Sequence, residues 1–227
     1  NDGYDDIFIT CWGQNILFHN EGNGTFQDVT KKAGLLHEGA RYGTGCTWID
    51  YDRDGWLDLM VVNYADFSVS NNPACYAATT ARDYCTPRVF RAPGNRLFHN
   101  KGNGTFEDVT ARAGVDKEFG HGLGIVAADF NNDGWIDIYV ANDGDPNQLW
   151  INQKNGTFVN DALLAGCAVN RNGQAEAGMG VDAGDFDGNG TEDIFVTHLM
   201  EETNTLYVNL GQGLFEDRTR ENGLAIP

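Results

Sequence analysis

Apolar residues in this chain come in short bursts, none of them long enough to sustain a helix. Runs rich in Ile, Val and Leu recur as LMVVN after Asp58, IYVAN after Asp137 and IFVTH after Asp193, with IFIT at Ile7 to Thr10 as a fourth. Clusters of Asp, Asn and Gly bound each run, which predicts buried strands of about five residues. Ahead of three of them lies a Gly-spaced run of small residues: Gly43-Thr44-Gly45, Gly122-Leu123-Gly124 and Gly178-Met179-Gly180. Behind each comes a segment of the form L-F-x-N, then G-x-G-T-F, whose Asn-Gly pair marks a tight hairpin. No stretch keeps a helical period and Gly supplies 29 of 227 residues, so the pattern predicts an all-β fold.

The pattern is a repeat. NILFHNEGNGTFQDVTKKAGL from Asn15 returns as NRLFHNKGNGTFEDVTARAGV from Asn95, as NQLWINQKNGTFVNDALLAGC from Asn147 and as NTLYVNLGQGLFEDRTRENGL from Asn204. Anchored on Asp2, Asp54, Asp133 and Asn189, the spacings are 52, 79 and 56 residues, and the long one holds an insertion from about Asp66 to Arg91. Four short strands in about 50 residues describe one blade of a β-propeller, with the Gly-x-Gly strand innermost, where only small side chains fit. The expected units are residues 1–36, lacking the inner strand, 43–115 with the insertion at about 66–91, 120–168 and 177–226. The chain opens on NDGYDDIFIT, in the middle of the repeated phrase, and is therefore expected to be a piece of a longer protein forming a partial propeller.

Between the first and second strands of each unit lies D-x-[DN]-x-[DN]-G-x-x-D. Side chains at positions one, three and five of such a loop converge. Gly at six allows the sharp turn, a carbonyl at seven adds an oxygen, and Asp at nine closes the cage. Calcium is a hard cation that takes six to eight oxygens. The candidate ligands are Asp50, Asp52, Asp54, Asp58 and the Trp56 carbonyl; Asp129, Asn131, Asp133, Asp137 and the Trp135 carbonyl; Asp185, Asp187, Asn189, Asp193 and the Thr191 carbonyl. Asp2 and Asp6 occupy positions five and nine of a truncated fourth site. An EF-hand begins with the same letters but needs Glu at position twelve and flanking helices. Val61, Val140 and Val196 stand at position twelve, each in a β-type run. Simple acidic turns are the remaining alternative, since Asp, Asn and Gly favour turns, and three copies in register weigh against it.

These residues resemble the FG-GAP/VCBS repeat family, and more narrowly the repeats that precede ASPIC/UnbV domains in cartilage acidic protein-like proteins. The resemblance covers nearly the whole chain. It implies a calcium-bearing β-propeller, often of seven blades, that is secreted or displayed on a cell surface.

Charge agrees with a metal-binding role. The net charge is −18, from 33 acids against 15 bases, and ten of the acids sit at ligand positions of the complete loops. Nothing forms a basic patch, which argues against nucleic acid. Of the five cysteines, Cys75 and Cys85 bracket a polar excursion in the insertion and are expected to bridge; Cys11 and Cys46 offer a further pair, and Cys167 fills an apolar slot. Bridges together with calcium loops point to an oxidising exterior. No segment reads as a membrane span or a leader, which a chain starting mid-motif is not expected to retain.

Other features carry less. The sequons at Asn23, Asn103 and Asn155 share one repeat position and read first as hairpin turns; Asn189 also matches a sequon but is a candidate ligand. His19 and His99 share a slot filled elsewhere by Ile151 and Val208, so a structural role is expected. No nucleophilic triad or phosphate-binding loop recurs, and calcium accounts for the carboxylate pairs, so no enzymatic activity is expected. The leading expectation is a calcium-stabilised extracellular scaffold contacting a protein or glycan on a cell surface or matrix, or assembling with itself. Its contact surface would be the insertion, with Tyr76, Tyr84 and Phe90, and Trp12 and Tyr64 beside it. A lectin-like module and an accessory domain of a larger extracellular enzyme or filament stand as alternatives.

Overall fold

The computed structural model describes residues 2–37 and 41–225; the outer limits expected for the first and last units, residues 1 and 226, lie outside the described residues. The first sheet contains β1 (Ile7–Ile9), β2 (Ile16–Asn20) and β3 (Phe26–Asp28). β4 (Gly43–Ile49) and β5 (Asp58–Asn63) begin the second. A small separate hairpin, β6 (Cys75–Tyr76) and β7 (Arg82–Asp83), interrupts it before β8 (Arg96–Asn100) and β9 (Phe106–Asp108) complete it. One helical turn, α1 (Thr110–Ala113), leads to the third sheet of β10 (Gly122–Ala128), β11 (Asp137–Asn142), β12 (Gln148–Asn152) and β13 (Phe158–Asn160). A second turn, α2 (Ala162–Ala165), precedes β14 (Gly178–Gly184), β15 (Asp193–His198), β16 (Thr205–Asn209) and β17 (Phe215–Asp217). Every pairing is antiparallel, each sheet runs in chain order from the inside outwards, and none closes on itself. The protein is an all-β partial propeller.

The sheets stack face to face because their second strands are apolar on both sides. Leu59 and Val61 of β5 pack with Leu17, Leu35 and Phe98 towards the first sheet. Met60 and Val62, one residue out of phase, pack with Ile138, Val140 and Trp150 towards the third. β11 repeats the device, with Tyr139 and Ala141 facing Ile194, Val196 and Tyr207. Each such side chain contributes roughly 1.5–3 kcal/mol on burial, which explains why these runs are continuous and not alternating.

The Gly-x-Gly runs are the inner strands. A Cβ on Gly45 would stand 2.8 Å from the Leu123 carbonyl oxygen, and one on Gly124 2.8 Å from that of Met179. Side chains are excluded there because neighbouring inner strands approach backbone to backbone. The Thr44 hydroxyl donates to the Gly122 carbonyl at 2.7 Å and ties β4 to β10. The pairing register shifts at the first of these glycines in all three complete sheets, so the inner strands bulge where they converge.

Cys75 and Cys85 are bridged, with Cα atoms 5.2 Å apart, and Cys167 is buried and unpaired as its apolar slot predicts. The suggested Cys11–Cys46 pair is not formed; both are free. The reason is register. The Gly43 N–H donates to the Cys11 carbonyl, so Cys11 lies level with Gly43. Cys46 is three residues further along β4, about 10 Å at strand rise, beyond the reach of a disulfide. Among the described residues no helix is long and apolar enough to cross a membrane.

Candidate metal centres

Each acidic loop links a first strand to a second and ends on the opening residue of the second: Asp58 of β5, Asp137 of β11, Asp193 of β15. The glycine at position six takes a left-handed φ, 89° at Gly55, 85° at Gly134 and 84° at Gly190, which lets the chain double back. Side chains then hold the turn. The carboxylate at position one accepts the position-six N–H: Asp50 from Gly55 at 3.1 Å, Asp129 from Gly134 at 2.7 Å, Asp185 from Gly190 at 2.9 Å. The side-chain oxygen at position five accepts the N–H at position seven, for Asp54 and Trp56 at 2.8 Å, Asp133 and Trp135 at 2.9 Å, Asn189 and Thr191 at 2.8 Å. Asp2 does the same with Tyr4 at 3.1 Å.

The ninth position is the anchor. Asp58 and Asp137 are fully buried and Asp193 nearly so. One oxygen of each accepts the N–H of the last residue of the third strand: Asn100 at 2.7 Å, Asn152 at 2.8 Å, Asn209 at 2.7 Å. The other accepts the N–H at loop position two, from Tyr51 at 3.3 Å, Phe130 at 3.2 Å and Phe186 at 2.9 Å. Asp6 repeats the first contact with Asn20 at 2.8 Å. Burial pushes the Asp58 carboxyl up to about 6, with the Asn100 and Tyr51 N–H groups and His99 opposing and Asp52 adding to the rise. Burial pushes Asp137 up to about 7, with the Asp129 and Asp133 charges contributing. Both therefore carry charge reluctantly without a counter-ion.

Two of the three complete loops bring their acids together. Ligand oxygens of Asp50, Asp52 and Asp58 lie within 4.8 Å of one another, as do those of Asp185, Asp187 and Asp193. Oδ1 of Asp50 is buried and has no hydrogen-bond partner, an orphaned anionic oxygen at the heart of the first cluster. An all-oxygen donor set of this kind fits a hard divalent cation. The other groups are drawn elsewhere. Asp52 and Asp54 converge with His99, whose Nδ1 is 3.3 Å from Asp52 and 3.1 Å from Asp58. In the second loop, among the described residues, no three acids come within 4.8 Å; Asn131 is neutral, and Lys154 Nζ sits 3.2 Å from Asp133. At the chain start His19 Nδ1 lies 2.9 Å from Asp6 and its Nε2 3.7 Å from Asp2.

The sequence reading missed two participants. His19 and His99 are neighbours of acidic loops, a role hinted at by their shared slot one residue before the strand-ending Asn. That Asn, present in all four L-F-x-N segments, is the second. Asn152 Nδ2 donates to the carbonyl of Tyr51, position two of the preceding sheet's loop, at 2.8 Å, and Asn209 does so to Phe130 at 2.8 Å. Each thus latches one sheet's acidic loop to the next sheet. Arg53 adds a further link, its guanidinium 4.6 Å over the Trp135 ring. The sequons at Asn23, Asn103 and Asn155 are turns, each side-chain oxygen accepting the N–H two residues on at 2.9 to 3.0 Å.

The insertion rests on packing as well as its bridge. Phe67 and Phe90 meet edge to face at 5.6 Å, and the Trp12 indole N–H donates to the Phe67 carbonyl at 3.1 Å. Tyr64 donates to Asp143 at 2.6 Å. Phe90 and Tyr64 therefore serve packing, whereas Tyr76 and Tyr84 stand 65% and 97% exposed.

Comparison with known proteins gives three findings. The FG-GAP-like repeat profile matches residues 1–61, 89–140 and 129–196. Cartilage acidic protein 1 of Mus musculus is 53% identical over 57 residues, and that of Homo sapiens 51% over 57. Those stretches cover 25% of this chain and span 9% of the length of those relatives. The solved structure of an Agrocybe aegerita lectin, described as recognising non-reducing terminal N-acetylglucosamine, aligns over 95% of this chain and 62% of its own, with TM-score 0.32 and 19% identity. With its repeats matched over well more than half its length, the chain belongs to the FG-GAP-like repeat family.

Proposed function

We propose that this chain is a calcium-stabilised interaction scaffold that works outside the cell and performs no catalysis of its own. The observation that carries the metal assignment is the first cluster: three carboxylates within 4.8 Å, one of them fully buried and another with a buried oxygen that nothing hydrogen-bonds. Leaving such charges uncompensated is costly, and a divalent cation compensates them. Asp50, Asp52, Asp54 and Asp58 with the Trp56 carbonyl would hold one ion, and Asp185, Asp187, Asn189 and Asp193 with the Thr191 carbonyl another. Asp129, Asn131, Asp133 and Asp137 with the Trp135 carbonyl would hold a third once Lys154 swings away, and Asp2 and Asp6 belong to a fourth. The bound ions supply rigidity. An exterior location is supported by the Cys75–Cys85 bridge and by the similarity to cartilage acidic protein 1.

Titration calorimetry of the chelator-treated chain with calcium chloride tests the assignment. Saturable binding at two or more sites is expected, with Asp50→Ala and Asp185→Ala each removing one; heats of dilution alone would overturn it.

The contact surface is the insertion, whose exposed Tyr76 and Tyr84 interrupt an otherwise regular array. Deleting residues 74–87 should leave the sheets folded and abolish adhesion to matrix- or cell-coated surfaces; undiminished adhesion would move the contact elsewhere. A glycan-binding reading is favoured by one feature, a groove of about 680 Å³ lined by Tyr42, Tyr64, Phe67, Tyr84 and Phe90.

A further inference from the structure

A second and larger cleft, of about 920 Å³, lies beside that groove and shares Tyr42 and Ala65 with it. Its lining includes four arginines, Arg41, Arg91, Arg96 and Arg112, in a chain where acids outnumber bases 33 to 15. Such a concentration against the general charge calls for a cause, and internal ion pairing accounts for only part of it. Arg96 pairs through Nη2 with Asp108, yet its Nη1 is buried without a hydrogen-bond partner. Nε of Arg41 is likewise buried and unpartnered. Both arginines line this one cleft; desolvation and then the neighbouring Arg96 charge lower the pKa of Arg41, against the opposing pull of Asp108 and Asp66. Two buried guanidinium nitrogens without acceptors, one from each arginine, are a standing cost, which an anion between them would remove.

The rest of the lining narrows the anion. Asp66, Asp108 and Asp116 oppose the four arginines and leave a surplus of one positive charge, room for a single negative group. A strongly acidic peptide would set its further charges against these aspartates and against the net charge of −18. A ligand with one carboxylate and several hydroxyls would instead donate to Asp66 and Asp116. Phe119, 54% exposed at the rim with the Arg91 guanidinium 5.7 Å over its ring, offers a flat apolar platform. We infer that this cleft binds a monoanionic sugar of the uronate type, its carboxylate held by Arg41 and Arg96 and its ring against Phe119. The site uses none of the candidate calcium ligands.

Saturation-transfer NMR on the full chain in calcium buffer, with glucuronate, glucose and acetate as probes, tests this. Saturable glucuronate binding is expected, with acetate at least roughly tenfold weaker and glucose silent. Arg41→Gln and Arg96→Gln should each weaken glucuronate by roughly tenfold or more. Arg41→Gln should do so with little change in melting temperature, because it removes a buried guanidinium N–H that has no acceptor. Should either arginine variant fail to fold, Phe119→Ala decides, since that exposed ring can be removed without touching the core. Loss of binding in it supports the site, and full retention overturns it. Equal binding of glucose, equal binding of acetate, or no saturable glucuronate signal would each overturn the inference.

Discussion

Asp58 and Asp137 are buried carboxylates whose ionised form the fold tolerates poorly. Their folded pKa values of about 6 and about 7 lie above the ordinary 3.8, so between those limits the folded chain keeps protons that the unfolded chain releases. Linkage then fixes the sign of their contribution: it is fully present below the ordinary carboxylate pKa and is lost as pH rises from about 4 to about 7. Denaturant melts of the calcium-free chain at stepped pH should show that fall, and saturating calcium should flatten or reverse it, because the ion replaces the proton. Asn152 and Asn209 are the other residues on which the array turns. Asn209→Ala would leave the Phe130 and Glu192 carbonyls without their side-chain donor, at a cost of about 3 kcal/mol. Asn20→Ala, which removes a solvent-exposed hydrogen bond to the Asp5 carbonyl, should cost under about 1 kcal/mol. The aspartates were legible in the sequence because loop spacing declares them. Asn152 and Asn209 stood in plain sight in their L-F-x-N segments, but their latching role is a contact between repeats, and spacing within one repeat does not encode it.

At the level of elements, the Gly-x-Gly strands and the five-residue apolar runs fell where their patterns put them, because local sterics and two-sided burial set both. Two Gly→Ala substitutions separate crowding from mere pattern. Gly124→Ala would drive a Cβ to 2.8 Å from the Met179 carbonyl oxygen, a backbone atom that cannot yield, and should cost more than about 2 kcal/mol. Gly180→Ala meets only the Thr197 hydroxyl at 3.1 Å, a side chain that can turn aside, and should cost under about 1 kcal/mol. Denaturant midpoints of the two variants check the difference; equal costs would remove the backbone-approach argument. The insertion was recognisable as a departure but not in its architecture. Its packing at Phe67 draws on Trp12, which lies outside the insertion and beside the first sheet. Cys75→Ser with Cys85→Ser should raise proteolysis between residues 74 and 87 while leaving the main melting transition in place, since the bridge closes a loop of separation 10 outside the stacked sheets.

At the scale of the whole molecule, the net charge of −18 and the stacking of the sheets pull against each other. The acidic loops sit at the same end of every sheet, and the Asn152 and Asn209 latches tie the loops at Tyr51 and Phe130 to the following sheets, so repulsion opened in either of those loops is transmitted to the next sheet. Three bound calcium ions would bring the formal charge to −12 and, beyond that, tie each carboxylate cluster to one point. Screening and ligation make different forecasts. If diffuse repulsion were the whole cost, sodium chloride at about 1 M, with a Debye length near 3 Å, would substitute for calcium. If the loops are true cages, salt recovers only part of the loss. At a free calcium concentration ~100 times the dissociation constant, each site contributes roughly 2.7 kcal/mol. In a chain of this size that shifts the melting temperature by roughly 5–10 °C per site. Adding EGTA should therefore lower the melting temperature by at least that amount, with high salt failing to restore it. An unchanged melt, or full rescue by sodium chloride alone, would show that the loops are acidic turns and that the metal has no part in holding the sheets together.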